Sequence, residues 1–91
     1  MRLPDHVRPY RRTPVFTEAT MPAALKATHS TKAGVWGLVT VLEGQLRLIF
    51  LDTGECHLLD PDNPGVVAPE RLHRAEPLGP VRFTIDFCAE A

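Results

Sequence analysis

Gly34–Leu42 reads GVWGLVTVL, and Gln45–Leu51, just past the break at Glu43-Gly44, reads QLRLIFL. Both runs are dense in β-branched, aromatic and aliphatic side chains, which suit a pleated surface better than a helix. With only Glu43-Gly44-Gln45 between their cores, they are expected to pair as a hairpin. Downstream, Asp52-Thr53-Gly54 is a turn leading into a strand over Glu55–Leu59. Asp60-Pro61-Asp62-Asn63-Pro64-Gly65 is a loop on composition alone. Val66–Ala68 and Leu72–Glu76 are short strands split by Pro69, and Gly79-Pro80 is the last turn. Val81–Cys88 then alternates. Val81, Phe83, Ile85 and Phe87 share one face, and Arg82, Thr84 and Asp86 the other. That places Asp86 as a surface or salt-bridge group.

Upstream, only Met21–Thr28 has a helix-like composition, weakened by Pro22 and by the β-branched Thr28. Residues 1–12, with Arg8, Pro9, Tyr10, Arg11 and Arg12, are expected to lie over the rest as an N-terminal arm. The nine prolines and six glycines cut the chain into pieces too short for ordinary helices. Short strands at regular spacing indicate an all-β sandwich or barrel, and closure hides edges that would otherwise aggregate. One domain over residues 1–91 is expected, and a chain this small gains from closing its sheet or pairing as a homodimer.

A net charge of −1 offers no long-range attraction to nucleic acid or to an anionic membrane. Arg8, Arg11 and Arg12 around Tyr10 do not alter this, since no basic face continues elsewhere. No apolar run approaches the roughly 20 residues that span a bilayer. The start Met1-Arg2-Leu3-Pro4-Asp5-His6 has no apolar secretory core. The expected compartment is the cytoplasm, with Cys56 and Cys88 as reduced, buried structural thiols. Nucleophile motifs, a phosphate-binding glycine loop and a Cys-x-x-Cys pair are all absent from the sequence, which leaves covalent nucleophilic catalysis without support.

The four histidines differ. His6 is in the arm, and His57 is mid-strand with its side chain directed away from Cys56. A barrel that brings His29 and His73 to one mouth would offer two imidazoles to a divalent metal such as zinc, iron, nickel or copper. Glu70, three residues before His73, is the candidate third ligand, whereas alternation turns Glu76 to the opposite face. In the alternative, both imidazoles donate to backbone carbonyls in a polar pocket. Trp36 is either an aromatic wall of the pocket, with Gly37 making room for a ligand, or a core residue. Lys32 either draws an anion to the mouth or is a solvated turn residue. Arg71 and Arg74, flanking His73, would add positive potential to the same rim.

The run His29-Ser30-Thr31-Lys32-Ala33-Gly34-Val35-Trp36-Gly37, continued by Val41-Leu42-Glu43-Gly44, Pro69-Glu70-Arg71-Leu72-His73-Arg74 and Glu76–Phe83, resembles the tellurite-resistance TehB/YeaR-like family. Thr13-Pro14-Val15-Phe16 and Pro22-Ala23-Ala24-Leu25 extend the resemblance over nearly the whole chain. It implies a small cupin-type barrel, the double-stranded β-helix, with His29 and His73 as the two halves of a cupin metal site. The chain departs from the metal-dependent pattern. Ser30 and Thr31 stand where a paired histidine belongs, and Gly37 where a glutamate belongs. A metal held by His29, His73 and Glu70 would keep open positions. Family members can also carry a separate methyltransferase domain. One expectation is therefore a binding module for a divalent metal and a small anionic ligand, linked to tellurite or oxyanion stress, with Lys32, Trp36 and Arg71 assisting. The other is a metal-dependent enzyme, an isomerase or dioxygenase using iron, manganese or nickel.

Overall fold

A computed structural model describes residues 3–90, so Met1 and Arg2 of the expected arm lie outside the described residues. The chain runs β1 (Val7–Arg12), β2 (Phe16–Thr17), α1 (Ala23–Lys26), β3 (Trp36–Glu43), β4 (Leu46–Phe50), β5 (Cys56–Leu59), β6 (Gly65–Val67), β7 (His73–Pro77) and β8 (Arg82–Glu90). The helix-like segment yields a single turn, as Pro22 and Thr28 would suggest. The fold is all-β and barrel-like. Two antiparallel sheets enclose one core, and their hydrogen-bonded ladders remain separate among the described residues.

The larger sheet is ordered β1-β8-β3-β6, with β2 also pairing with β8. The smaller is ordered β5-β4-β7. Strand alternation builds the core: Val39 and Val41 of β3 face Leu46, Leu48 and Phe50 of β4, together with Leu59, Val67 and Phe83. Phe16 meets Phe83 edge-to-face, ring centroids 5.8 Å apart, which pins β2 to β8.

The expected hairpin of β3 with β4 does not form. β3 pairs with β8 and β6, while β4 pairs with β5 and β7. Gly44, at φ +79°, carries the chain from one sheet to the other. The turn at Asp52-Thr53-Gly54 does close a hairpin, β4 with β5, as Phe50 N–H donates to the Glu55 carbonyl at 2.9 Å. Of the first dozen residues, Val7–Arg12 pair along β8, with a register shift between Pro9 and Arg11. His29 lies outside the named strands and forms an isolated antiparallel bridge with His73 at the start of β7. That bridge ties the segment entering the larger sheet to the smaller one.

Candidate functional site

The bridge is the base of the site. His29 N–H donates to the His73 carbonyl at 3.0 Å, and His73 N–H donates to the His29 carbonyl at 2.9 Å. Residues paired in this way project their side chains to the same side. The two imidazoles accordingly stack with ring centroids 4.1 Å apart, tilted by 58°. Each ring then folds back on its own chain. Nδ1 of His29 lies 3.0 Å from the Ala27 carbonyl oxygen, and Nδ1 of His73 lies 2.7 Å from the Arg71 carbonyl oxygen.

A carbonyl oxygen only accepts, so each Nδ1 carries the hydrogen and donates it. In the neutral ring the free lone pair then sits on Nε2. His73 is buried at 6% exposure, and burial holds its pKa below the usual imidazole range. The hydrogen bond to Arg71 opposes that shift, while His29 and the Arg71 charge reinforce it. His73 is thus neutral at pH 7. Among the described residues no buried side-chain nitrogen or oxygen lacks a partner, so His73 Nε2, which has none, is open to solvent.

The opening is a cavity of about 340 Å³ between the sheets that both histidines line. Val39, Val67, Ile85 and Phe87 form its apolar wall. Gly37 leaves room there, since a Cβ at that position would already touch Val67 at 3.6 Å. Exposed Arg11 and Lys32 stand where the cavity opens, and neither meets a carboxylate among the described residues.

The residues singled out from sequence divide. His29, His73 and Lys32 come together on this cavity. Trp36 does not line it: alternation places Trp36 on the opposite face of β3 from Gly37, paired with Cys88 of β8. Arg71 turns away as well. Its guanidinium sits 3.7 Å above the Phe50 ring and bonds Asp52, Thr53 and Glu55, beside a second hollow of about 560 Å³. Arg71 acts on the site through its main-chain carbonyl, which holds His73, and through its charge, which disfavours protonation of that ring. Glu76 pairs with Arg47 at 2.9 Å and Arg74 at 3.3 Å, which ties Arg74 down as well. Tyr10 and Arg11 were missed, having been read as part of an arm. The register shift in β1 leaves Tyr10 unpaired, and both residues line the cavity. Ile85 and Phe87 carried a legible signal, the alternating stripe of β8, but it read as core.

The expected metal centre is not built. Glu70 is exposed and does not join the histidines. Among the described residues, no group of three or more histidine, cysteine, aspartate or glutamate side chains is arranged to hold a metal ion. Both Nδ1 atoms are committed to carbonyls, and the pair lacks the third ligand that zinc, iron, nickel or manganese would need. The imidazoles bond backbone carbonyls, as the alternative reading had it, but in a cavity with an apolar wall rather than a polar pocket. Both cysteines are free thiols; Cys88 is buried as expected, but Cys56, at the exposed start of β5, is not. No helix among the described residues is long and apolar enough to cross a membrane.

Relatives correct the functional expectation in the same direction. Two proteins described as probable S-adenosyl-L-methionine-dependent methyltransferase TehB, from Haemophilus influenzae strains Rd and 10810, are 35% and 34% identical to this chain over 74 residues. Each alignment spans 76% of this chain and 26% of the relative, so the chain spans about a quarter of their length. The crystal structure of TehB from Haemophilus influenzae matches with a TM-score of 0.86 at 30% identity, over 94% of this chain and 32% of that one. A protein from E. coli strain K12 matches with a TM-score of 0.91 over 100% of this chain and 98% of its own, at 24% identity, a likeness of fold alone. The relatives are named as methyltransferases, so the metal-binding cupin, whether binder, isomerase or dioxygenase, is set aside along with its divalent metal. The TehB-like domain description matches residues 11–85, most of the chain, and on that ground the chain belongs to the TehB-like domain family.

Proposed function

We propose that this chain is a small-molecule-binding β-domain that serves S-adenosylmethionine-dependent methyl transfer of the TehB type without itself holding the methyl donor. The observation that carries the reading is the cavity, with an apolar wall and two imidazoles whose Nδ1 atoms are committed to backbone carbonyls on its lining. Methyl transfer enters through the relatives' names, and the chain corresponds to only about a quarter of those proteins.

S-adenosylmethionine itself does not fit this cavity. The methyl donor carries a sulfonium cation and a ribose diol, groups that call for carboxylate partners. The lining holds Arg11 and Lys32 and no carboxylate. The sequence also lacks a glycine-rich loop between strand and helix to receive such a cofactor. A cytoplasmic setting, with Cys56 and Cys88 reduced, suits this reading.

The test is a two-dimensional amide NMR titration of the labelled chain. A set of small aromatic compounds should shift the amides of Gly37, Val67, His29 and His73, while S-adenosylmethionine at millimolar concentration leaves them in place. Cofactor shifts confined to those amides would mean that the domain holds the methyl donor after all. Silence toward every aromatic compound would remove the binding role.

A further inference from the structure

We infer that the histidine pair of the cavity selects an uncharged hydrogen-bond donor on an apolar body, of the kind a phenol presents, rather than an oxyanion. This rests on the ligand-binding reading above and names the chemistry of the ligand. The argument is one of complementarity. His29 and His73 each spend their hydrogen on a backbone carbonyl, so what they turn to a ligand is a pair of acceptors. Thr31, also on the lining, donates its hydroxyl to the Val35 carbonyl at 2.7 Å and accepts from Glu70 N–H at 3.3 Å. His29, His73 and Thr31 therefore present lone pairs beside Val39, Val67 and Ile85, while the exposed Ser30 and Tyr10 on the same lining carry hydroxyls that can give or take a hydrogen.

An oxyanion brought against the two imidazoles would set lone pair against lone pair beside apolar side chains. A hydroxyl or N–H group satisfies an Nε2, and an aromatic ring fills the apolar remainder. Arg11 and Lys32, on the same lining, are exposed, so solvent screens their attraction for an anion. The choice of group also fits methyl transfer. A donor oxygen is an atom that can accept a methyl group, and once methylated it has no hydrogen left to give the imidazoles.

The experiment compares three probes of nearly the same shape: 4-methylphenol, toluene and 4-methylanisole, the O-methylated phenol. Each is titrated into the 15N-labelled chain, with the amides of the cavity and the imidazole nitrogens followed together. The expected result is that 4-methylphenol binds about tenfold more tightly than either of the others, the difference one hydrogen bond makes. It should also move an Nε2 resonance that the others leave alone. His73→Asn and His29→Asn keep a side-chain N–H near the Nδ1 position but remove the Nε2 acceptor. At least one of these variants should lose the preference while still binding toluene. Equal affinity for the three probes, with cavity amides shifted, overturns the inference and leaves the binding domain standing. A preference that survives in both variants overturns it too. If no probe shifts a cavity amide, the binding reading fails along with the inference.

Discussion

Arg12 grips Asp86 from outside the protein. Nε to Oδ1 is 2.7 Å and Nη2 to Oδ2 is 3.1 Å, yet the arginine side chain is 69% exposed and the aspartate 5%. The two face each other across the β1–β8 ladder, where Arg12 is registered against Asp86. Hydrogen bonding to Asp86 holds the Arg12 pKa above its already high value. A two-pronged pair with one buried partner stabilises chiefly by keeping that partner satisfied. Arg12→Ala should therefore lower the melting temperature by on the order of 5 °C. The double variant Arg12→Ala/Asp86→Leu should recover most of that loss, because no buried carboxylate is then left alone. Thermal unfolding of the four proteins in the cycle checks this. A double variant less stable than Arg12→Ala would contradict it.

The strand content was legible because alternation reports which residues share a face. Val81–Cys88 matched β8 closely for that reason, and Asp86, expected as a surface or salt-bridge group, is ion-paired with Arg12 but buried. Alternation is silent about which strand is the neighbour. Glu43-Gly44-Gln45 reads the same whether the chain turns back on itself or steps to a second sheet, so β3 and β4 were wrongly paired. That His29 and His73 could share one mouth was a condition on the barrel, carried by the family resemblance rather than by their spacing. Their tautomers were not legible, because these depend on carbonyls two residues upstream that any residue supplies. Trp36 and Gly37 are adjacent, so one strand could not put both on the cavity, and the pleat already argued against Trp36 as its wall. Spacing placed Glu70 near His73 but could not say that a left-handed turn would carry its side chain elsewhere.

His73 makes stability depend on pH in a definite direction. Its pKa is lowered by burial, so below about pH 6.5 the unfolded chain takes up a proton that the folded chain resists. The unfolded state then binds more protons, and stability falls as pH drops through that value. Above it, the contribution of neutral His73 is fully present. The groups facing this ring are His29 and Arg71, and both disfavour its protonation. The melting temperature should fall between pH 7.5 and pH 5.5, and His73→Asn, which keeps a donor for the Arg71 carbonyl, should flatten the slope. An unchanged slope in the variant would assign the pH dependence to other groups.

Glu70 is the one described non-glycine residue with positive φ, at +62°. The left-handed region costs a residue with a Cβ about 1–2 kcal/mol. Glycine has no such penalty but loses about 0.5–1 kcal/mol more backbone entropy on folding. Since Glu70 is exposed and not a metal ligand, Glu70→Gly should stabilise the fold by somewhat under 1 kcal/mol by the difference of these terms. Urea unfolding of the two proteins measures it. A loss of stability would show that the Glu70 side chain makes a contribution of its own.

Gly44 and Gly54 have nearly the same backbone, at φ +79° and +76°, but different surroundings. A Cβ at Gly54 would meet nothing within 4 Å, so Gly54→Ala incurs only the left-handed penalty, about 1–2 kcal/mol. A Cβ at Gly44 would run into the carbonyl oxygen of Pro80 and stand 3.1 Å from the Val81 Cα. Both are backbone atoms of the segment entering β8, the strand that β1, β2 and β3 all pair against. They cannot move aside as a side chain would. Gly44→Ala should therefore cost at least about 3 kcal/mol, clearly more than Gly54→Ala, with the excess coming from overpacking. Denaturant midpoints of the two variants decide it. Equal losses would mean that the crossing between the sheets yields where the β4–β5 hairpin does, and that Gly44 is there for its dihedral angle rather than for its lack of a side chain.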